Sequence, residues 1–245
     1  MARRRVWLFI VEGETDKTAI GLSLEALIGN ERVEFDVFGS DIFGASQIGR
    51  AGADPVMRTR DIHERIKKEV CHHLEFSDYQ WGDLDRLILL LDTDGSFVPD
   101  DAVTENKQLE GIRYHNDCIE VPDASHARRR NKERSSNVRK VLGRPKVTYR
   151  GKSVPVSAYF MSRNLEHALH DRPEQLEKRV KIRLARQFRL KYKDDLDGFI
   201  ELLSGDISVP GDYRGSWEYI QEGTHSLERG SNLNVLLGEI SNGEK

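Results

Sequence analysis

Two stretches of this chain are apolar without a break, Val6 to Val11 (VWLFIV) and Leu87 to Leu91 (LILLL), and each runs directly into an acid. A strand with one wet face alternates apolar and polar residues, so an unbroken run points to a strand buried on both faces in a helix-covered parallel sheet. Parallel strands need crossover helices, and these are legible. From Asp16, the residues Ile20, Leu24, Leu27 and Ile28 recur at helical spacing, with Gly29-Asn30 as a stop signal. Val33 to Phe38 reads as a second strand and residues 39 to 52 as a Gly- and Ser-rich loop. Asp54-Pro55 reads as an N-cap and first helical residue, leading to Ile62, Ile66, Val70 and Leu74 on one face.

Further strands are predicted over Ile112 to Val121 and Val154 to Met161, with Ser162 capping a short helix that turns Leu165, Ala168 and Leu169 inward. Beyond Arg172 only helices are predicted: a basic amphipathic one marked by Leu176, Val180, Leu184 and Phe188, then an acidic tail. The expected fold class is α/β, with a mostly parallel, Rossmann-like sheet, helices on both faces, a basic helical insertion and a helical C-terminal part.

Composition excludes several classes. The longest apolar runs fall far short of the roughly 20 residues that cross a bilayer. The basic start, Arg3 to Arg5, is followed by only six apolar residues and then Glu12, a poor signal peptide, so a cytoplasmic protein is expected. Cys71 and Cys118 lack zinc-site spacing and are expected to be buried thiols; His72 and His73 read as surface residues of a helix. The net charge of −3 conceals a strong segregation. Residues 1–126 carry 14 Lys+Arg against 25 Asp+Glu, residues 127–193 carry 21 against 5, and residues 194–245 carry 3 against 11. A block this basic in an acidic chain points to a polyanion-binding face, nucleic acid first, the bland alternative being basic helices docked on the chain's own acids.

Functional groups of open α/β sheets gather beyond the carboxyl ends of the strands. Here the first apolar run delivers Glu12 and, one helical turn later, Asp16, and the second delivers Asp92 and Asp94. In an extended backbone residues two apart point the same way, so Asp92 and Asp94 are expected to share a side. If the two strands are neighbours, four carboxylates converge. Such a cluster repels itself unless a cation joins it, and oxygen-only donors favour Mg²⁺ or Mn²⁺ over zinc.

The runs Val11-Glu12-Gly13-Glu14-Thr15-Asp16 and Leu91-Asp92-Thr93-Asp94-Gly95 resemble the two signature motifs of the Toprim domain, found in topoisomerases, bacterial primases and several nucleases. The resemblance covers residues 6 to 125 and extends loosely to 170. It implies metal binding by Glu12, Asp16, Asp92 and Asp94, and catalysis by Glu12, Asp92 and Asp94. The departures narrow the choice. No zinc-binding pattern or primase-associated domain is recognisable, Tyr192, Tyr213 and Tyr219 fall in a modest helical tail, and there is no Gly-x-x-x-x-Gly-Lys phosphate loop. The chain is therefore similar to small stand-alone Toprim nucleases of the overcoming-lysogenization-defect type and to phage-defence effectors. That resemblance implies a Mg²⁺-dependent endonuclease, with an ATPase protein partner and a possible homodimer. The domain division is 1–170 for the catalytic part, carrying basic segment 127–152, and 171–245 for the helical part. Alternatives are a non-catalytic nucleic-acid-binding or regulatory Toprim module, or an RNA-maturing nuclease.

The basic segment supplies the expected grip on RNA or DNA through Arg128, Arg129, Arg130, Lys132, Arg134, Arg139, Lys140, Arg144, Lys146, Arg150 and Lys152, against one acid, Glu133. Contacts of this kind bind phosphates without reading sequence. Glu166 is the first candidate for a second metal, with Asp123 competing; its alternative role is to favour a helix dipole.

Overall fold

The computed structural model describes residues 5–29, 32–38, 41–45, 47 and 51–243. Arg3, Arg4, Asn30 of the expected stop signal and residues 39, 40, 46 and 48–50 of the expected loop lie outside the described residues.

Both apolar runs are strands of one sheet. β1 (Val6–Val11), β2 (Val33–Val37), β3 (Leu84–Asp92), β7 (Lys146–Tyr149) and β8 (Lys152–Met161) stand in the order β2-β1-β3-β8-β7. All neighbours are parallel except the β7–β8 hairpin. The sheet's two faces are filled by the period-two alternation of its strands. Trp7, Phe9 and Val11 of β1, Ile88 and Leu90 of β3, and Tyr159 and Met161 of β8 join one core. Leu8 and Ile10, then Leu87, Leu89 and Leu91, then Val156, Ala158 and Phe160 join the other.

Helices cover both faces. α1 (Glu14–Ile28), α5 (Lys178–Tyr192), α6 (Leu196–Ser204) and α8 (Leu233–Gly243) contribute to the first core, and α2 (Ile62–Leu74), α3 (Ala124–Gly143) and α7 (Tyr213–Ile220) to the second. Residues on both sides of the division at 170/171 thus share each core. Leaving β1, the chain covers one face with α1 and returns as β2, then covers the other face with α2 and returns as β3 on β1's far side. β1 and β3 are therefore adjacent strands whose following segments diverge, the place where open sheets form a crevice.

Several local expectations are corrected. α2 begins after Asp61, whose carboxylate accepts the Glu64 N–H at 3.0 Å. Asp54 instead closes a turn by accepting the Val56 N–H at 2.7 Å, so Asp54-Pro55 starts no helix. The predicted strand over Ile112 to Val121 is two short ones, β5 (Arg113–Tyr114) and β6 (Ile119–Val121), separated by a turn closed from His115 N–H to Cys118 O at 2.9 Å. With β4 (Val103–Glu105) they form a separate sheet, order β4-β6-β5, with its own small core.

The cap of α4 (Leu165–His170) is Asn164, which accepts the His167 N–H at 2.9 Å, because Arg163 before it is left-handed (φ 56°) and takes Ser162 out of register. The basic segment is helical only as α3. Its remainder folds as the β7–β8 hairpin, turned by left-handed Arg150 (φ 47°) and Gly151 (φ 79°), the conformation two-residue hairpin loops favour. Both thiols are half-buried, not buried. His72 is exposed, whereas His73 lies between Asp36 (3.3 Å) and Glu34 (3.6 Å) of β2. Among the described residues no helix is long and apolar enough to cross a membrane.

Candidate metal centre

The carboxyl ends of β1 and β3 lie side by side in parallel register, with Val11 opposite Leu90, which brings Glu12 to Asp92 and Asp94. Each acid is set by a local device. Glu12 follows the last residue of β1. Asp16 sits in the first turn of α1, where its Oδ2 accepts the Gly13 N–H at 2.9 Å, so its direction is fixed by the helix start. Asp92 is the last residue of β3, and the chain then turns through left-handed Asp94 (φ 47°) and Gly95 (φ 74°). Asp94 donates its N–H to Arg163 O at 2.9 Å, and Thr93 donates its own to Met161 O at 3.0 Å, which ties the turn to the end of β8.

Because the backbone leaves the extended form at Asp94, the alternation that predicts Asp92 and Asp94 on one side stops one residue short. They belong to two subgroups of a larger cluster. In the first, Arg134 of α3 donates from Nη2 to Glu12 Oε1 at 2.5 Å and from Nη1 to Asp94 Oδ2 at 2.8 Å, and the same nitrogen lies 3.3 Å from Asp41 Oδ2. In the second, Glu166 pairs with Lys181 of α5 at 2.8 Å, and its charge is felt by both Asp16 and Asp92. Among the described residues the Asp92 carboxylate accepts no hydrogen bond and has no ion pair.

Among the described residues six carboxylates, Glu12, Asp16, Asp41, Asp92, Asp94 and Glu166, therefore share three cations, Arg134 and Lys181 through ion pairs and Arg130 through its charge on Asp41. The imbalance is visible in their acidities. Burial holds Glu12 well above the usual carboxylate range; Arg134 pulls it down, and Asp41, Asp92 and Asp94 push it further up. Burial likewise raises Asp92 well above that range, with Asp16, Asp94 and Glu166 adding to it. Asp16 is pushed up to about 6, by burial first, opposed by the Gly13 N–H and reinforced by Glu166. Asp41 is raised by burial against the pull of Arg134. A hard divalent cation fits this donor set: all-oxygen ligands, excess negative charge and one unpartnered carboxylate between the subgroups. As placed, among the described residues, no three acidic, His or Cys side chains already stand as a ready metal-binding group. Arg134 and Lys181 hold them instead.

The cluster opens on a cavity of about 220 Å³ whose wall includes Asp94, Tyr114, Arg130, Asn164 and Lys181. The Tyr114 hydroxyl reaches Asp94 Oδ1 at 3.4 Å, and burial, with the Asp94 charge, raises its pKa.

The eleven basic residues expected to grip nucleic acid divide sharply. Arg134, only 1% exposed, faces the carboxylates and not the solvent. Lys152 donates to the carbonyls of Trp81, Gly82 and Leu84. Arg128 donates to the carbonyls of Asp100 and Val103, and Arg130 to the Asp94 carbonyl beside the cavity. Arg139 is tied to Gln221 at 2.8 Å, Arg144 lies 3.8 Å from Asp61, and Arg150 stacks over the Tyr149 ring. Arg129, Lys132, Lys140 and Lys146 are exposed. Asp123, the competitor of Glu166, is exposed and caps α3 by accepting the His126 N–H at 2.8 Å. Glu166 is 2% exposed and inside the cluster.

Asp41, Tyr114 and Lys181 have no counterpart among the sequence-derived candidates. Asp41 carried a signal, being an acid a few residues past the end of β2, on the same rim as the others. Tyr114 and Lys181 carried none, since each arrives from an element whose docking is decided by tertiary packing. Comparison with protein-family models, curated proteins and solved structures gave no match.

Proposed function

We propose that this chain is a Mg²⁺- or Mn²⁺-dependent phosphodiesterase that cuts nucleic acid, of the Toprim type that its two acidic motifs resemble. One observation carries the reading: adjacent parallel strands deliver Glu12, Asp92 and Asp94 to a single rim, where Asp16, Asp41 and Glu166 join them with too few cations to balance the charge.

Glu12, Asp92 and Asp94 would hold one ion, with Asp16 and Glu166 placed toward a second. Such ions polarise the phosphoryl oxygens and lower the pKa of water, which is the chemistry a phosphodiester requires. The chain's own groups do the remainder. Glu12, whose Oε1 is taken by Arg134, has its second carboxylate oxygen left to accept the proton of the attacking water. Arg130 and Lys181, on the cavity wall, offer positive charge to the phosphate being cut. Asp16 is already fixed by the Gly13 amide, whereas Asp94 would exchange its bond to Arg134 for the ion.

The test is cleavage of a panel of tRNA, plasmid and single-stranded DNA in Mg²⁺ or Mn²⁺, comparing the wild type with Asp92→Asn. That substitution removes charge from the unpartnered carboxylate while keeping its shape. Cleavage by the wild type, lost in Asp92→Asn with an unchanged melting temperature, supports the reading. Full activity in the variant removes catalysis from this rim.

A further inference from the structure

α3 carries two stripes of polar residues, and the second leads away from the carboxylates. Arg130 and Arg134, four apart, face the acidic rim and its cavity. Arg129, Lys132, Ser136 and Lys140, at spacings of three and four, line a different and larger cavity of about 680 Å³ between α3 and the segment leading into α2. Arg60 and Arg65 close its other side. Five cations thus face one acid, Glu133.

Arg65 is the built part of this cavity. Only 1% exposed, it donates to the carbonyls of Thr59, Ile42 and Gly44 at 2.5, 3.0 and 2.6 Å, which fixes its guanidinium against the neighbouring backbone. Asn137 of α3 bonds the Phe43 carbonyl at 2.8 Å and ties the helix to the same loop. Arg65 and Asn137 are thus fixed parts of the lining, and Arg60, Arg129, Lys132 and Lys140 are exposed side chains around them. Among the described residues the cavity's lining contains no aromatic ring, so it offers phosphate-binding charge without a platform for a base.

We propose that this cavity is a sequence-independent binding site for the phosphates of a nucleic-acid strand, separate from the carboxylate rim and laid along the same helix. Two residues outside the basic segment, Arg60 and Arg65, belong to it. From Arg130 to Lys140 the helix spans about 15 Å at 1.5 Å per residue, a few nucleotides of backbone. A strand held at Lys132 and Lys140 would reach the rim past Arg130. The identity of the ligand rests on the nuclease reading, whereas its phosphate chemistry rests on the cavity alone.

Binding of a labelled 20-nucleotide strand, measured by fluorescence anisotropy in EDTA across a salt series, tests the site without any cleavage. The variants are Lys132→Ala with Lys140→Ala, the charge-reversed pair K132E with K140E, and Arg214→Ala on α7 as a basic control outside both the cavity and the basic segment. Alanine at exposed helical positions preserves the helix, and circular dichroism checks it. The alanine pair should weaken binding about tenfold near 0.1 M salt and lower the slope of log affinity against log salt by about 1.5. Two unrelated sequences should show the same loss, the reversed pair a larger one, and the control little change. An unaltered slope in both pairs, or an equal loss in Arg214→Ala, overturns the proposal. So does ATP binding as tightly as the strand, which would make this a mononucleotide site. Binding without cleavage in Mg²⁺ would sink the nuclease reading and leave this site standing; cleavage with an unaltered slope would do the reverse.

Discussion

Arg134 occupies the middle of a cluster that would otherwise be unbalanced, and its removal separates two roles. An ion pair that loses one buried partner leaves the other charges uncompensated. Arg134→Ala is expected to lower metal-free stability by about 3 kcal/mol, at the low end of that effect because Asp41 and Asp94 still reach solvent. Glu12, Asp41 and Asp94 are then left with one charge fewer among them, so Mg²⁺ or Mn²⁺ should raise the melting temperature of the variant more than that of the wild type. Melting curves with EDTA and with each cation check this; a loss that neither cation recovers would make Arg134 a packing residue only. Arg134 sits in the same basic run as Arg129 and Arg130, and only its helical spacing from Ala127, Val138 and Val141 sets it apart from them in the sequence. Only the helical phase of α3, fixed by Ala127, Val138 and Val141 turning into the cores, sends Arg134 inward.

At the scale of elements, α2 and β2 bring Glu69 and Asp36 together, and among the described residues no cation is paired with Glu69. Glu69, 6% exposed, has its pKa pushed up to about 8 by burial first, and by Asp36 and Asp54 after it. The folded protein therefore holds a proton that the unfolded chain releases near pH 4.5, and stability falls as pH rises from about 4.5 to 8. Glu69→Gln, neutral at every pH, should match the wild type near pH 5 and melt higher at pH 9; equal melting at both would show that Glu69 carries no such proton. The elements themselves were largely legible, because unbroken apolar runs and three-to-four spacing depend only on local sequence. The start of α2 and the cap of α4 were not. Asp54 and Asp61 are equally good caps in sequence, and only tertiary contacts, such as Arg65 gripping the Thr59 carbonyl, choose between them. The carboxylates of Glu12, Asp92 and Asp94 were legible for the same reason as their strands, whereas the positions of Tyr114 and Lys181 depended on the docking of β5 and α5.

For the whole molecule, the two cores run through both halves of the chain. Phe188, Phe199, Leu203, Leu236 and Leu237 pack with Phe9 and Ile88, and Trp217 and Ile220 pack with Leu89 and Phe160. Such sharing leaves no part of 171–243 with a core of its own. Thermal unfolding is expected to be one transition, with coincident midpoints for helix content by circular dichroism and for tryptophan fluorescence. Separated midpoints would show that the helical part unfolds independently. A different consequence follows from the two stripes of α3. One helix supplies counter-charge to the acidic rim and lines the larger cavity, so an occupant of either site that shifts α3 is felt at the other. If a cation entering the rim moves Arg134, it changes the affinity of the cavity for a strand, and the strand must change the affinity for the cation by the same factor. Such reciprocity would make α3 a lever by which an engaged polymer arms the rim, with no separate signal required.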